Sequence, residues 1–325
     1  TACRRQRQMC IRDRHNIRRP KPDDFQIKQA MEKIKKSKKP IIISGGGVFY
    51  SDAMDELGSF AIKHNIPVTQ TVMGYSTMKR DHSHFLGPIG GLGGRAANNL
   101  AKETDLAICV GTKLADFTTG SWANFENPEF KLVSINIARH DANKHLAEAV
   151  IGDAKVCLSE LSNSLGNWKS PDSWHKKSQD ELKSWNEYVD KESGPTNQET
   201  PNYAHAVGAI YRNSDPTDIA VTAAGGLVGE VVQVWRPKEL NTHETEWGFS
   251  CMSYEISGAL GIKMANPDKD VIAFVGDGSY LLNNSDIYSS VLTNNKLIII
   301  VCDNGGHAVI NLSLIHISEP TRPYL

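Results

Sequence analysis

Two short apolar runs, each ending at a glycine-rich acidic turn, constrain this chain more than any other feature. Val271-Ile-Ala-Phe-Val275 stops at Gly276-Asp277-Gly278-Ser279, and Leu297-Ile-Ile-Ile-Val-Cys302 stops at Asp303-Asn304-Gly305-Gly306. Runs this short, rich in β-branched residues and apolar on both faces, suit buried strands of a parallel sheet. The stretch between them is long enough for one crossover helix, so both strands end at the same edge. Ligands of open α/β sheets bind beyond the carboxyl ends of the strands, which brings Asp277 and Asn304 together. One carboxylate, one amide oxygen and a main-chain carbonyl are hard donors that suit Mg²⁺ and leave room for substrate phosphates. The flanking Gly276 and Gly278 let bare amides approach those phosphates. Either half alone is ordinary turn chemistry, but both at this spacing, each behind a strand, point to a magnesium and diphosphate clamp.

The rest of the chain repeats the strand-helix alternation. Strands are expected at Pro40–Ser44, Ile66–Thr71, Leu106–Val110 and Lys131–Ile137, with a helix from Asp52 to His64, giving a Rossmann-like domain over 15–165. Its Gly45-Gly46-Gly47 lacks the Gly-x-Gly-x-x-Gly pattern and the acidic residue of a dinucleotide site. The stretch Gly87 to Gly94, with Arg95, is a candidate to face a phosphate. Residues 166–201 are polar and read as a connector with a helix that gathers Trp174, Ser178, Glu181, Leu182, Trp185 and Tyr188 near one face. A second unit, 202–312, opens with a helix at Tyr203–Tyr211 and a strand at Asp218–Thr222, followed by Ala223-Ala-Gly225-Gly226. A helix rich in small residues is expected over Ser253–Ala265. The fold class is α/β, with two doubly wound parallel-sheet domains. Residues 1–14 and 313–325 lack any period and look like translated adapter sequence; they are expected to be artefacts flanking a fragment whose second domain is truncated.

Charge excludes several partners. With 36 basic and 37 acidic residues the net charge is −1, which implies neither nucleic acid nor an anionic membrane surface. Apolar runs fall far short of the roughly 20 residues of a membrane span. Six scattered cysteines and the lack of a hydrophobic signal segment suit a cytoplasmic protein with free thiols and no zinc site.

Gly276-Asp277-Gly278, with Asn304 placed 27 positions after the aspartate, resembles the fingerprint of thiamine diphosphate enzymes. The resemblance implies Mg²⁺ held by Asp277, Asn304 and the Gly306 carbonyl. It also implies a first phosphate loop at Gly225 and Gly226, further amides from Gly276, Gly278 and Ser279, a Ser250 carbonyl for the aminopyrimidine, and Met252 as the apolar wedge that bends the cofactor. The strings Glu246–Gly258, Asn284–Ser290 and Val301–Gly306, with Ala308–Asn311, look most like the ring-opening hydrolases of myo-inositol catabolism. Those enzymes cleave a C–C bond of a cyclic 1,2-diketone, trihydroxycyclohexane-1,2-dione, to give 5-deoxy-glucuronate. His307 stands where that branch usually has an aromatic residue. The resemblance further implies a small-molecule, polyol-derived substrate and a homodimer or higher homo-oligomer. The cofactor-activating glutamate is expected in an N-terminal domain outside this chain, leaving the fragment alone inactive and Glu230, Glu244, Glu246 and Glu255 as surface or helix charges. His243 and His307 are candidate substrate contacts. An acetohydroxyacid synthase-like carboligase, and a non-catalytic nucleotide-binding module, stay open as alternatives.

Overall fold

A computed structural model describes residues 17–307. The expectations for 1–14 and 313–325 lie outside the described residues. Six strands form the first sheet: β1 (Pro40–Ser44), β2 (Val68–Gln70), β3 (Phe85–Pro88), β4 (Leu106–Val110), β5 (Lys131–Asn136) and β6 (Glu148–Ile151). Their order is β3-β2-β1-β4-β5-β6 and every pair is parallel. Every position of β1 and β4 is buried, because helices cover both faces and leave no wet side to alternate with. Four strands form the second sheet: β7 (Ile219–Thr222), β8 (His243–Thr245), β9 (Val271–Gly276) and β10 (Ile298–Cys302), in the parallel order β10-β9-β7-β8. The α/β class with two parallel sheets is thus the observed architecture.

Three strands, β3, β6 and β8, had no clear period in the sequence. β3 contains Gly87 and Pro88, and β8 is three residues long, so neither shows an apolar run. The helix expected from Asp52 begins at Met54, since Asp52 has φ +50° and cannot enter a right-handed turn.

The polar connector contains a 21-residue helix, Asp172–Glu192, that buries Trp174, Leu182, Trp185 and Val189 in the core of the first sheet. Its Trp174 indole donates to the Pro40 carbonyl at 2.8 Å. This docking disposes of the candidate phosphate loop at Gly87–Gly94. A Cβ on Gly94 would lie 2.6 Å from the Trp185 indole nitrogen, and one on Gly90 2.0 Å from the Phe117 carbonyl. The Arg95 guanidinium lies over the Trp185 and Tyr188 rings at 5.9 and 5.4 Å, where it packs on aromatics. The glycines there serve close packing of the chain on itself. Gly45 and Gly47 do the same against Gly111, with N–H···O bonds of 2.8 Å to Val110 and 2.9 Å to Gly111.

The two sheets share a continuous core. Val72 and Tyr75 of the first unit pack on Val228 and Val232 of the second, with Leu92 and Trp247 at the margin. Backbone bonds cross the junction from Arg80 to Pro237 at 2.8 Å and from Asn241 to Ser76 at 3.3 Å. His243 lies in this junction. It is 4% exposed, meets the Tyr75 ring edge-on at 5.3 Å, and its amide donates to the Ser76 hydroxyl at 3.3 Å. Among the described residues no helix is long and apolar enough to cross a membrane, and Cys109, Cys157, Cys251 and Cys302 are free thiols.

Burial holds the His243 imidazole down to about 3, against an ordinary value of 6.5. The folded protein therefore stays unprotonated at a site where the unfolded chain takes up a proton. The stability this group contributes is complete above pH 6.5 and is lost as pH falls towards 3. Denaturant titrations between pH 6.5 and 4.5 should show wild type losing about 1.4 kcal/mol per pH unit more than His243→Asn. Equal slopes would remove His243 as a source of acid sensitivity.

Candidate functional site

β9 and β10 are neighbours in register, with Gly276 paired to Cys302, so the residues just after them must meet. The chain passes from β7 to β8 on one side and returns to β9 on the other, which puts the crevice of the second sheet between β7 and β9. A cavity of about 290 Å³ opens there. Its walls bring together the metal and cofactor candidates of the sequence: Gly225 and Gly226 after β7, Ser250 and Met252, then Gly276, Asp277, Gly278 and Ser279, and finally Asn304 and Gly306. His307 also lines it. His243 does not, and its burial in the junction corrects the expectation that it touches substrate. His205 caps its own helix, bonded both ways with Asn202.

The oxygen set at the centre is informative. With the Asn304 amide nitrogen bonded to the Tyr203 hydroxyl, the amide oxygen faces Asp277 Oδ1 at 3.3 Å and the Gly306 carbonyl, with no donor between them. Three acceptors aimed at one point repel unless a cation lies among them. Turning the amide over relieves the repulsion by donating to both oxygens, which is the stable arrangement when no cation is bound. Among the described residues no group of three or more His, Cys, Asp or Glu side chains could hold a metal. One carboxylate and two neutral oxygens are a poor cage for a soft transition metal but a fitting partial shell for Mg²⁺ completed by phosphate.

The space before the glycines is open. A Cβ added at Gly225, Gly276 or Gly306 would meet no atom within 4 Å, so bare backbone faces the cavity there. Gly278 differs, because a Cβ on it would stand 2.5 Å from the His307 ring and 3.4 Å from the Met252 methyl. His307 and Met252 thus close on Gly278 from one side.

The loop carrying Ser250 and Met252 is strained and pinned. Ser250 and Ser253 have φ +53° and +77°, left-handed values that cost on the order of 1 kcal/mol each for such residues. Contacts hold them: Ser250 donates to the Ala223 carbonyl at 3.2 Å and Ser253 to the Ser279 carbonyl at 2.9 Å. Glu246, read as a surface charge, accepts from the Phe249 amide at 2.9 Å and the Cys251 amide at 2.6 Å. Partial burial raises the Glu246 carboxyl, but those amides outweigh it and leave the group below its usual range. Glu255, also read as a surface or helix charge, is 1% exposed and lies behind the cavity wall.

Tyr203 was missed in the sequence, since its link to Asn304 spans 101 positions and has no local pattern. Burial raises its phenol, more than the Asn304 bond lowers it, so it remains a neutral hydroxyl. It bonds the end of the Asn304 amide that points away from Asp277, accepting from the nitrogen or donating to the oxygen. Tyr203→Phe should weaken divalent-cation binding about three- to tenfold in calorimetry without moving the melting temperature by more than a few degrees. Gly278→Ala should displace His307 and lower ligand affinity about tenfold or more, because a 2.5 Å contact cannot be kept. Unchanged affinity in either variant would contradict its assignment.

Comparison with known proteins agrees with this geometry. The family described as "Thiamine pyrophosphate enzyme, central domain" matches residues 27–161, and "Thiamine pyrophosphate enzyme, C-terminal TPP binding domain" matches 223–321, running past the boundary drawn at 312. The chain is 37% identical over 321 residues to a protein of Bacillus anthracis called 3D-(3,5/4)-trihydroxycyclohexane-1,2-dione hydrolase, covering 91% of this chain and 50% of that one. A protein of the same name from Clostridium perfringens is 36% identical over 320 residues, with the same coverage. The chain spans about half the length of the curated relatives it matches.

Proposed function

The chain belongs to the thiamine pyrophosphate enzymes, and we propose that it is part of a Mg²⁺-dependent hydrolase that opens the ring of trihydroxycyclohexane-1,2-dione in myo-inositol catabolism, releasing 5-deoxy-glucuronate. The cofactor half of this proposal is carried by one observation: the Asp277 and Gly306 oxygens and the Asn304 amide group converge at the tips of adjacent strands. The substrate half is supported by the name of relatives 36–37% identical across 91% of the chain.

Thiamine diphosphate, when bound, supplies the carbanion chemistry that breaks a C–C bond beside a carbonyl. The residues of the cavity serve that chemistry by holding and orienting. Asp277, Asn304 and the Gly306 carbonyl would hold Mg²⁺, with Tyr203 accepting from the outward Asn304 nitrogen. Amides at Gly225, Gly226, Gly278 and Ser279 would take the diphosphate oxygens, the first pair at the start of the helix Leu227–Val234. The Ser250 carbonyl would accept from the aminopyrimidine and Met252 would support the bend. His307, on the cavity wall beside Gly278, is placed to contact substrate.

Asp277 is the one acid among the described residues lining the cavity, and a bound cation would occupy it. The acid that activates the cofactor therefore comes, on this proposal, from outside the described residues. Self-association belongs to the same proposal; its support is the exposed apolar side chains of Leu281, Leu282, Tyr288, Val291 and Leu292 on the helices Asp277–Leu282 and Ser285–Leu292.

Full-length protein loaded with thiamine diphosphate and Mg²⁺ should consume the cyclic diketone and leave pyruvate untouched. Pyruvate loss with the diketone intact would transfer the protein to the carboligases. Binding of NAD or FAD in place of thiamine diphosphate would support a nucleotide-binding module.

A further inference from the structure

Glu255 is the second residue of the helix Tyr254–Ala265 and is 1% exposed, a rare position for an acid without a cationic partner. Its Oε1 accepts from the Ala224 amide at 3.2 Å, while Oε2 is buried with no hydrogen-bond partner. Burial is the largest influence on the carboxyl and pushes it up; opposing it are donors from its own amide, Ala224, Ser253 and the Ser279 hydroxyl, with no lysine or arginine among them. Those neighbours come from three separate segments around the cavity: the turn after β7, the strained loop before the helix, and the turn after β9.

Ala224 lies two residues beyond the end of β7, where the sheet no longer supplies an acceptor for its amide. The next residue, Gly225, has φ +78° and free space around its Cα, so the turn has little steric restraint of its own. The ties on this turn are the Ser250 bond to the Ala223 carbonyl and the Glu255 bond to the Ala224 amide. An amide pinned at Ala224 sets the direction of the two that follow.

We propose that Glu255 is a positioning residue that holds the Ala223–Gly226 turn from behind, so that the Gly225 and Gly226 amides face a diphosphate. The proposal rests on reading the cavity as a diphosphate site. What matters is reach and an acceptor oxygen at the Ala224 amide. Glu255→Gln keeps both, whereas Glu255→Asp keeps the acid and withdraws its oxygens by one methylene.

Two measurements on the full-length protein decide it: amide hydrogen exchange at Ala224 without ligand, and calorimetric titration with thiamine diphosphate in Mg²⁺. Glu255→Asp should speed Ala224 exchange about tenfold and weaken binding about tenfold, while Ile41–Ile43 in the first sheet keep wild-type protection. Glu255→Gln should stay within about threefold of wild type in both. Wild-type behaviour of Glu255→Asp would overturn the proposal, and so would equal losses in Glu255→Gln, which would make charge rather than reach the requirement. Failure of wild type to bind thiamine diphosphate would sink the functional reading alone, because the exchange comparison uses no ligand.

Discussion

The meeting of the Asp277 carboxylate, the Asn304 amide and the Gly306 carbonyl at one point is the constraint on which the second half of this molecule depends. Asp277, Asn304 and Gly306 are brought together by the in-register pairing of β9 with β10, and Tyr203 bonds the far end of the Asn304 amide. With the Asn304 nitrogen inward both oxygens have a donor, whereas with its oxygen inward three acceptors meet and each unsatisfied one has an energetic cost. The cost is offset when a divalent ion and an anionic ligand complete the set. The glycines after β7 and β9, open to the same cavity, fit that requirement because they present amides and no side chains.

The cavity is only as well defined as the loops around it, and these are tied to one another more than to the sheet. Ser250 binds the turn after β7, Ser253 the turn after β9, and Glu246 closes the segment between. Left-handed serines would relax if released, so the ties store a specific loop shape. The first sheet contributes from a distance. Its own crevice is filled by Gly45, Gly47 and Gly111 in mutual contact, and its role at the site is to buttress the helix Leu227–Val234 through Val72 and Tyr75.

The sheet tips were legible in the sequence because a strand followed by a glycine-acid turn is written locally, within six or seven residues. Asp277 and Asn304 fall into this class, while Gly225, Gly226 and Met252 followed from the family resemblance, and all line one cavity. Tyr203 and Glu255 were not legible, because their partners lie 101 and 31 positions away and nothing in a lone tyrosine or helical glutamate marks burial. The reading as surface or helix charges placed Glu255 in its helix without its burial, because exposure is a property of the assembled loops. His243 misled by sequence proximity, since β8 is too short to show a period that would have placed it in the core. The glycines of Gly87–Gly94 misled by composition, their function being close packing against Phe117 and Trp185.

The most direct measurement is a crystal structure with thiamine diphosphate and Mn²⁺ in place of Mg²⁺, located by its anomalous scattering. One peak should lie about 2 Å from Asp277 Oδ1, the Asn304 side-chain oxygen and the Gly306 carbonyl, with the diphosphate completing its shell. A peak bound elsewhere, or a diphosphate in the cavity with no metal touching these oxygens, would contradict the account.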